Sequence, residues 1–491
     1  MKKVLALVLA MLLLATMATS AVAEGTPIRW LSTGDAAAKA IEDGDRIIAA
    51  IDEKFGIDLT AQYVPENNVE KVNVAMASGD FPDIVTGYYG TSATQSWIDN
   101  SMVIPLNSYM DKYPNLKAWL ESYSWSAIDG VYYGLPFITQ YAVANALISM
   151  RKDWLDNLGL AYPTNLDEMK AVLTAFTTGD PDKNGQADTY GITGIKPIDN
   201  FNWAFYAYGR QYSDYGLNAD GQIIPWFEDA CFIPGMTYLK ELWDAGVIDK
   251  EFVLNDQSKM EEKFYQGKVG AVPFPLYRNL TRHETNLKTI FPEASMVYGL
   301  PPVGPDGVSF GLNPQGRTGM MTCITAACKE PEKAIAFLDF MVSPEGNDLV
   351  RLGIPGVHYT KNADGTITYN MEERTKDSFA DNGWAHPLAW GSLYWPLESS
   401  YMPETELNRE RALETVALAT QAQKLALVNR KTSLEIENGS ALDDIYNQYF
   451  VDILQGKYTV EDGAKRLSEE WRSQGGEELL VELNTVYQAS K

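Results

Sequence analysis

The sequence predicts an α/β fold divided into two or three domains, and three observations carry that prediction. The chain has 491 residues, well beyond the ~250–300 at which a single core stops growing. Its composition is globular, with 45% hydrophobic and 21% charged residues, too apolar for a disordered chain. Past the N-terminal residues, short apolar runs alternate with helical stripes, an order that implies a parallel sheet covered by helices.

The first 23 residues read as a leader. Lys2 and Lys3 form a positive start, Val4 to Met17 is apolar, and Ala21-Val22-Ala23 offers a small-x-small cleavage site before Glu24. This is the pattern of a secretory signal peptide, and its apolar run is shorter than the ~20 residues that span a bilayer. No later stretch is apolar enough to cross a membrane. The expectation is therefore an exported protein, periplasmic or at the cell surface, not lipidated through an N-terminal Cys.

The elements follow in order. Ile28 to Ser32 reads as a strand. Ala36 to Phe55 carries Ile41, Ile47, Ile48, Ile51 and Phe55 at helical spacing. Ile57 to Val64 begins with apolar–polar alternation and reads as a second strand. Val69, Val72 and Met76 lie on one face of a helix over 67–77, and Asp83 to Thr86 is a third strand. Strands are expected again at 132–136 and 146–150. Asn165 is placed to cap a helix over 168–176. The Asp-Gly pairs in 217–223 and 361–367 mark hairpin turns. Leu300 to Gly307, rich in Pro and Gly, suits an interdomain crossing. Pro331 suits the first turn of a helix over 331–342. From about Thr405 the chain reads as polar helices near 405–435, 441–456, 459–472 and 476–489.

Cysteine is sparse. Cys323 and Cys328 stand five residues apart in an apparent buried strand, which separates them by roughly 16 Å, too far for a disulfide. Three buried thiols, with Cys231, are expected. The net charge of −25 argues against nucleic-acid or anionic-membrane partners and favours neutral or mildly charged ligands. The signatures G-x-S-x-G, H-E-x-x-H, the P-loop and G-x-G-x-x-G are absent. His283, His358 and His386 are isolated and lack metal-ligand spacing.

Several segments, taken together and in order, carry a resemblance. They are Gly79-Asp-Phe-Pro-Asp-Ile84, Asp129-Gly-Val-Tyr-Tyr-Gly-Leu-Pro136, Met150-Arg-Lys-Asp-Trp154, Pro163-Thr-Asn-Leu-Asp-Glu168, Gly267-Lys-Val-Gly-Ala271, Lys329-Glu-Pro-Glu-Lys-Ala-Ile335 and Gly353-Ile-Pro-Gly-Val-His-Tyr359. Over about residues 28–360 the chain resembles the extracellular solute-binding proteins of ABC importers, carbohydrate-binding family 1. The nearest likeness is to the large subgroup of alginate-oligosaccharide binders and Gram-positive lipoproteins. The resemblance implies the hinged, two-lobe periplasmic-binding-protein fold of type II, with long C-terminal helices. Lobe 1 would comprise 24–144 and 304–355, and lobe 2 would comprise 145–303 and 356–491. It implies a monomer that captures an oligosaccharide between the lobes by hinge closure and delivers it to membrane permease subunits. No catalytic residues are expected. A secreted glycosidase, which needs only two carboxylates, and a ligand-sensing partner of a membrane receptor are the alternatives.

Sugars offer apolar faces that suit aromatic rings. The candidates are Tyr88 and Tyr89, past the carboxyl end of the third strand where open α/β sheets place ligands, then Trp203, Tyr206, Phe274, Trp384, Trp390 and Trp395. Arg151, Arg210 and Arg278 are read as ion-pair residues. Finally, Asp180-Pro-Asp-Lys-Asn-Gly-Gln-Ala-Asp188 matches the start of a calcium loop. Asp180, Asp182, Asn184 and Asp188 would offer side-chain oxygens and Gln186 its carbonyl. Position twelve is Gly191 rather than Glu, so a helix-loop-helix sensor is not expected. The resembling subgroup implies a structural Ca²⁺ here, although its members tend to carry Glu where this chain has Thr189.

Overall fold

The computed structural model describes residues 25–33, 41–64, 69–88, 92–128, 130–136, 138–139, 148–195, 198–210, 215–273, 283–307, 320–363, 367–379, 386–391, 394–395 and 432–489. Residues 1–24, expected as a leader, and the segment 405–431 lie outside them.

Among the described residues, the two largest sheets organise the main cores of two lobes. In lobe 1, β1 (Thr26–Thr33) pairs in parallel with β2 (Ile57–Val64) and with β3 (Ile84–Tyr88). The expected β-α-β-α-β order is therefore present. β4 (Leu135–Pro136) and the antiparallel β12 (Met320–Ile324) complete the order β2-β1-β3-β12-β4. Ile28, Trp30, Ile47, Ile51, Ile84 and Phe337 are buried together in this core, each contributing about 1.5–3 kcal/mol by leaving water. Trp30 Nε1 donates to Thr86 Oγ1 at 2.9 Å, so the indole enters the core with its polar atom satisfied.

The first helix starts later than its apolar stripe suggested. It spans Arg46–Phe55, because Asp45 caps it by accepting the amides of Ile47 and Ile48, and Gly44 before it turns at φ +82. The second helix is Val69–Ser78. β12 ends at Ile324 and a turn brings the Cys328 amide onto Thr325 O. The apparent long strand is thus a short strand and a turn. Cys231 and Cys323 are buried, Cys328 is half-buried, and none of the three is in a disulfide.

β5 (Ile138–Thr139) follows and stands outside the five-stranded sheet. In lobe 2, β6 (Ile148–Arg151) runs antiparallel to β10 (Val269–Val272) and β11 (Met296–Gly299). β10 runs parallel to β7 (Tyr190–Ile192), and the order is β11-β6-β10-β7. Helix Leu166–Thr178 is capped by Asn165 as expected, its side chain accepting the Glu168 amide at 2.9 Å. The Asp-Gly turns do join hairpins, β8 (Tyr215–Leu217) with β9 (Ile223–Pro225), and β13 (Tyr359–Lys361) with β14 (Ile367–Tyr369). Helix Pro331–Met341 begins on its proline.

The C-terminal helices are Ser433–Leu454, Val460–Trp471 and Glu477–Ala489. The first runs unbroken through Gly439, where a break near 435–441 was expected. A capping box of Thr432 and Glu435 starts it. Phe450, Ile453, Leu467, Trp471 and Leu483 are buried in the same core as Phe201, Phe205 and Phe232, so these helices belong to lobe 2. Arg472 reinforces the join by pairing with Glu228 through two guanidinium nitrogens.

Val303, the last residue expected in lobe 2 before the return, pairs there with Thr164. One expected lobe boundary needs correction, and it concerns the described part of 356–391, expected in lobe 2. Phe379, Leu388 and Ala389 are buried in the lobe 1 core. Arg46 binds Asp377 and Glu373, and Asp45 meets His386. Polar pairs, the half-exposed Arg46 with Asp377 and Glu373 and the buried His386 with Asp45, hold this segment on lobe 1 in place of a continuous apolar stripe. The chain then forms β15 (Tyr394–Trp395), whose backbone lies parallel to β5.

Candidate functional site

The parallel strands fix where ligand groups can gather. β3 ends at Tyr88, opposite Met320 of β12. In lobe 2, β7 ends at Ile192 and β10 at Val272. The carboxyl ends of such strands are open to loops, which is why ligands collect there. Tyr88 stands at that position on β3. Tyr89, Phe274 and Trp384 lie outside the described residues. Trp390 is on the short helix Leu388–Gly391, and Trp395 is on β15 facing Thr139 in register.

Two candidates are corrected. Trp203 and Tyr206 are 2% and 5% exposed. Helix Asn202–Ala207 has five buried residues out of six, because it is covered by helix Phe232–Asp244 and by the C-terminal helices. Trp203 meets Tyr238 edge-on at 5.9 Å. These rings are walls of the lobe 2 core, not stacking platforms. Among the described residues the Trp203 indole N–H has no hydrogen-bond partner.

The arginines act inside the fold. Arg210 lies over Trp226 at 3.9 Å and donates to Asn202 Oδ1. Arg151 pairs with Asp153 and is flanked by Trp154 and Phe291. Arg278 lies outside the described residues. All three histidines are buried. His283 Nδ1 meets Tyr265 Oη at 2.6 Å, while His358 and His386 face Asp377 and Asp45.

The 180–188 turn is built as a calcium loop begins. Asp180 accepts the amides of Asn184 and Gly185 at 3.0–3.2 Å, and Gly185 turns at φ +76. Asn184 Nδ2 donates to Asp182 Oδ2 at 2.8 Å and to Asp188 Oδ1 at 3.3 Å. Burial, then the charges of Asp188 and Asp180, push the Asp182 carboxyl up. Lys268, 2.6 Å from Asp188 Oδ2, holds that carboxyl down. The oxygens fit Ca²⁺ in kind and in order. They fit less well in completeness. Thr189 Oγ1 turns inward to Phe176 O, and among the described residues no group of three or more His, Cys, Asp or Glu side chains is placed to hold a metal. An ion here would draw on Asp180, Asp182, Asn184, the Gln186 carbonyl and Asp188, with Asp188 released from Lys268.

Residues 38–348 match the family described as bacterial extracellular solute-binding protein. The chain belongs to that family. Among relatives, it is 29% identical over 464 residues to the polygalacturonan/rhamnogalacturonan-binding protein YtcQ of Bacillus subtilis, covering 91% of this chain and 89% of that one. It is 28% identical over 471 residues to lipoprotein LipO of the same organism, covering 90% and 89%. Among solved structures, the substrate-binding protein FusA of S. pneumoniae with kestose superposes with a TM-score of 0.71 at 20% identity, covering 95% of this chain and all of that one. Alginate-binding protein AlgQ2 gives 0.71 at 19% identity, covering 96% and 99%. These likenesses establish the two-lobe solute-binding fold of type II over nearly the whole chain. Among the described residues no helix is long and apolar enough to cross a membrane.

Proposed function

We propose that this protein is the extracytoplasmic substrate-binding component of an ABC importer and that its substrate is an oligosaccharide. The observation that carries the reading is the match along about nine-tenths of the chain to a pectic-polysaccharide-binding relative. The two separate cores agree with it, since each lobe can move as a body. Ligand would lie between the carboxyl strand ends of the lobes, against aromatics of the β3 end and of the 384–395 segment. Closure would follow from contacts available only when both lobes engage the same sugar. The closed form would present both lobes to permease subunits. Chemistry on the sugar is not part of the reading.

The experiment is a thermal-shift screen against neutral oligosaccharides, fructo-oligosaccharides, uronate oligomers and peptides. A ligand at a hundredfold excess over Kd adds about 2.7 kcal/mol to stability. A shift with an intact sugar supports the reading. Release of shorter sugars over hours would replace it with a glycosidase, and a shift with peptides alone would overturn the substrate class.

Two finer points belong to the same proposal. Export would follow cleavage after Ala23, and N-terminal sequencing of the secreted protein should begin at Glu24. The 180–188 turn would take Ca²⁺ as a structural staple between helix Leu166–Thr178 and β7. Chelation should lower the melting temperature if it does, and calorimetry should show no Ca²⁺ binding at millimolar concentration if it does not.

A further inference from the structure

Lobe 1 buries two histidines for which the sugar reading has no use. His358 and His386 are both 0% exposed, and each ring has both nitrogens engaged. His358 Nδ1 accepts the Ile354 amide at 2.8 Å, and its Nε2 lies 2.6 Å from Asp377 Oδ2. His386 Nδ1 accepts the Leu388 amide at 3.2 Å, and its Nε2 lies 3.0 Å from Asp45 Oδ2. A ring nitrogen that accepts an amide carries no proton, so in both rings Nε2–H is the donor toward the carboxylate.

The two pairs form one cluster. The Phe379 ring lies 5.4 Å from the His358 ring and 5.6 Å from the His386 ring, with Arg374 over it at 3.9 Å. The titratable and charged neighbours come from every element packed there. Helix Arg46–Phe55 supplies Arg46, with Asp45 as its cap. Helix Met371–Lys376 supplies Glu373 and Arg374, and Asp377 follows it. The β13–β14 hairpin supplies Tyr369, and helix Pro344–Arg351 supplies Arg351, whose guanidinium donates to Ala389 O. A proton on Nδ1 of either ring would set N–H against N–H at Ile354 or Leu388. It would also add a cation to a pocket that already holds Arg46 and Arg374.

What this cluster holds is the route to β15. Leu388, whose amide His386 accepts, opens the short helix that carries Trp390. Three residues beyond that helix, Tyr394 and Trp395 pair with β5, the last described strand before β6 of lobe 2. We propose that the His386–Asp45 and His358–Asp377 pairs are positioning residues for the 386–395 segment and form an acid-sensitive latch, so that the protein holds sugar at neutral pH and loses it in acid. The inference rests on the reading above for the ligand, but the latch itself can be tested without one.

Burial holds the His358 imidazole below its ordinary range, against the opposing pull of Asp377. A histidine lowered in the folded state contributes stability that is complete above the ordinary imidazole value. That stability is lost as pH falls through it. The first measurement is hydrogen exchange of the wild-type protein, corrected for intrinsic rates, between about pH 7.5 and about pH 5.5, spanning the imidazole range. Peptides covering 352–395 should lose protection at least threefold relative to those covering 442–454 of lobe 2, a fraction of the ~tenfold that one pK unit represents. The second is the affinity for a neutral oligosaccharide identified in the screen, which should weaken by a similar factor over the same range. His386→Gln and His358→Gln keep a donor toward the carboxylates but do not titrate, so each should flatten both profiles. His283→Gln, in lobe 2, should leave them unchanged.

Uniform protection across the range overturns the latch. So does sugar binding that is equally tight at both ends. If the exchange profile has the expected shape and no sugar binds, the latch stands and the ligand reading fails. If either glutamine variant does not fold, the wild-type exchange profile still decides.

Discussion

Replacing Phe379 by Ala tests where the lobe boundary lies. The ring is fully buried in the lobe 1 core and touches both buried imidazoles. Phe→Ala in a core costs about 3–5 kcal/mol. The loss should fall in the upper half of that range, because Arg374, itself 0% exposed, forfeits the ring beneath it at 3.9 Å, and a desolvated cation–π contact is worth about 2 kcal/mol. At roughly 2–4 °C per kcal/mol for a lobe of this size, a loss of about 4 kcal/mol lowers the lobe 1 transition by roughly 8–16 °C. Calorimetry measures the size, and hydrogen exchange gives the address. Peptides from β1, β3 and helix Pro331–Met341 should lose protection, while those from 442–489 should keep theirs. A loss under about 1 kcal/mol, or one that appears in lobe 2, would refute the assignment of 356–391 to lobe 1.

Four further outcomes follow from the same packing. Trp471→Ala should act in mirror image, costing lobe 2 about 3–5 kcal/mol, since the indole is 5% exposed and meets Phe227 edge-on at 5.6 Å; exchange peptides would show it. Gly353→Ala should destabilise lobe 1 by more than about 1 kcal/mol, because Gly353 turns at φ +94 and a Cβ would lie 2.5 Å from His358 Nδ1; a urea titration reads this. Glu228→Gln should loosen the C-terminal helices by about 1–2 kcal/mol, a charge-assisted bond discounted for partial exposure, measured as a midpoint shift in denaturant. Burial would push Glu228 up, but Arg472 and Ser468 hold it below the ordinary carboxylate range. Its contribution is therefore present above about pH 4.3 and fades as pH falls further, so the Gln variant and wild type should draw together in stability as the solution is made more acid.

Much of the scaffold was legible because local rules and tertiary packing agree. Asn165 caps its helix, Pro331 opens another, and the Asp-Gly turns join paired strands. Where the reading went astray, tertiary contacts decided. The 356–391 segment is fixed by Asp45, Arg46, Asp377 and His386, residues that look like a solvated surface until their partners more than three hundred positions away are known. Gly439 marks a break only if propensity acts alone; the buried face of Ser433–Leu454 carries the helix through it. Trp203 and Tyr206 were misplaced because a helix apolar on nearly every side gives no periodic signal of which face meets solvent. For the same reason, composition supplies aromatic candidates for a sugar site without separating wall from platform.

The interleaving of the lobes has a consequence for how the chain can be made. Asn484 Oδ1 accepts the Ile223 amide, 261 positions earlier, and Phe450 lies against Phe201 and Phe205. The lobe 2 core is complete only with the last helices, and the lobe 1 core only with residues 388–389. Contacts of such long sequence separation slow folding, because loop entropy is spent before packing repays it. A nascent chain would therefore leave the ribosome with both cores open, exposing Phe201, Phe205 and Trp226 to aggregation. Delayed collapse of this sort suits the export proposed above, in which the chain would cross the membrane as an extended polypeptide.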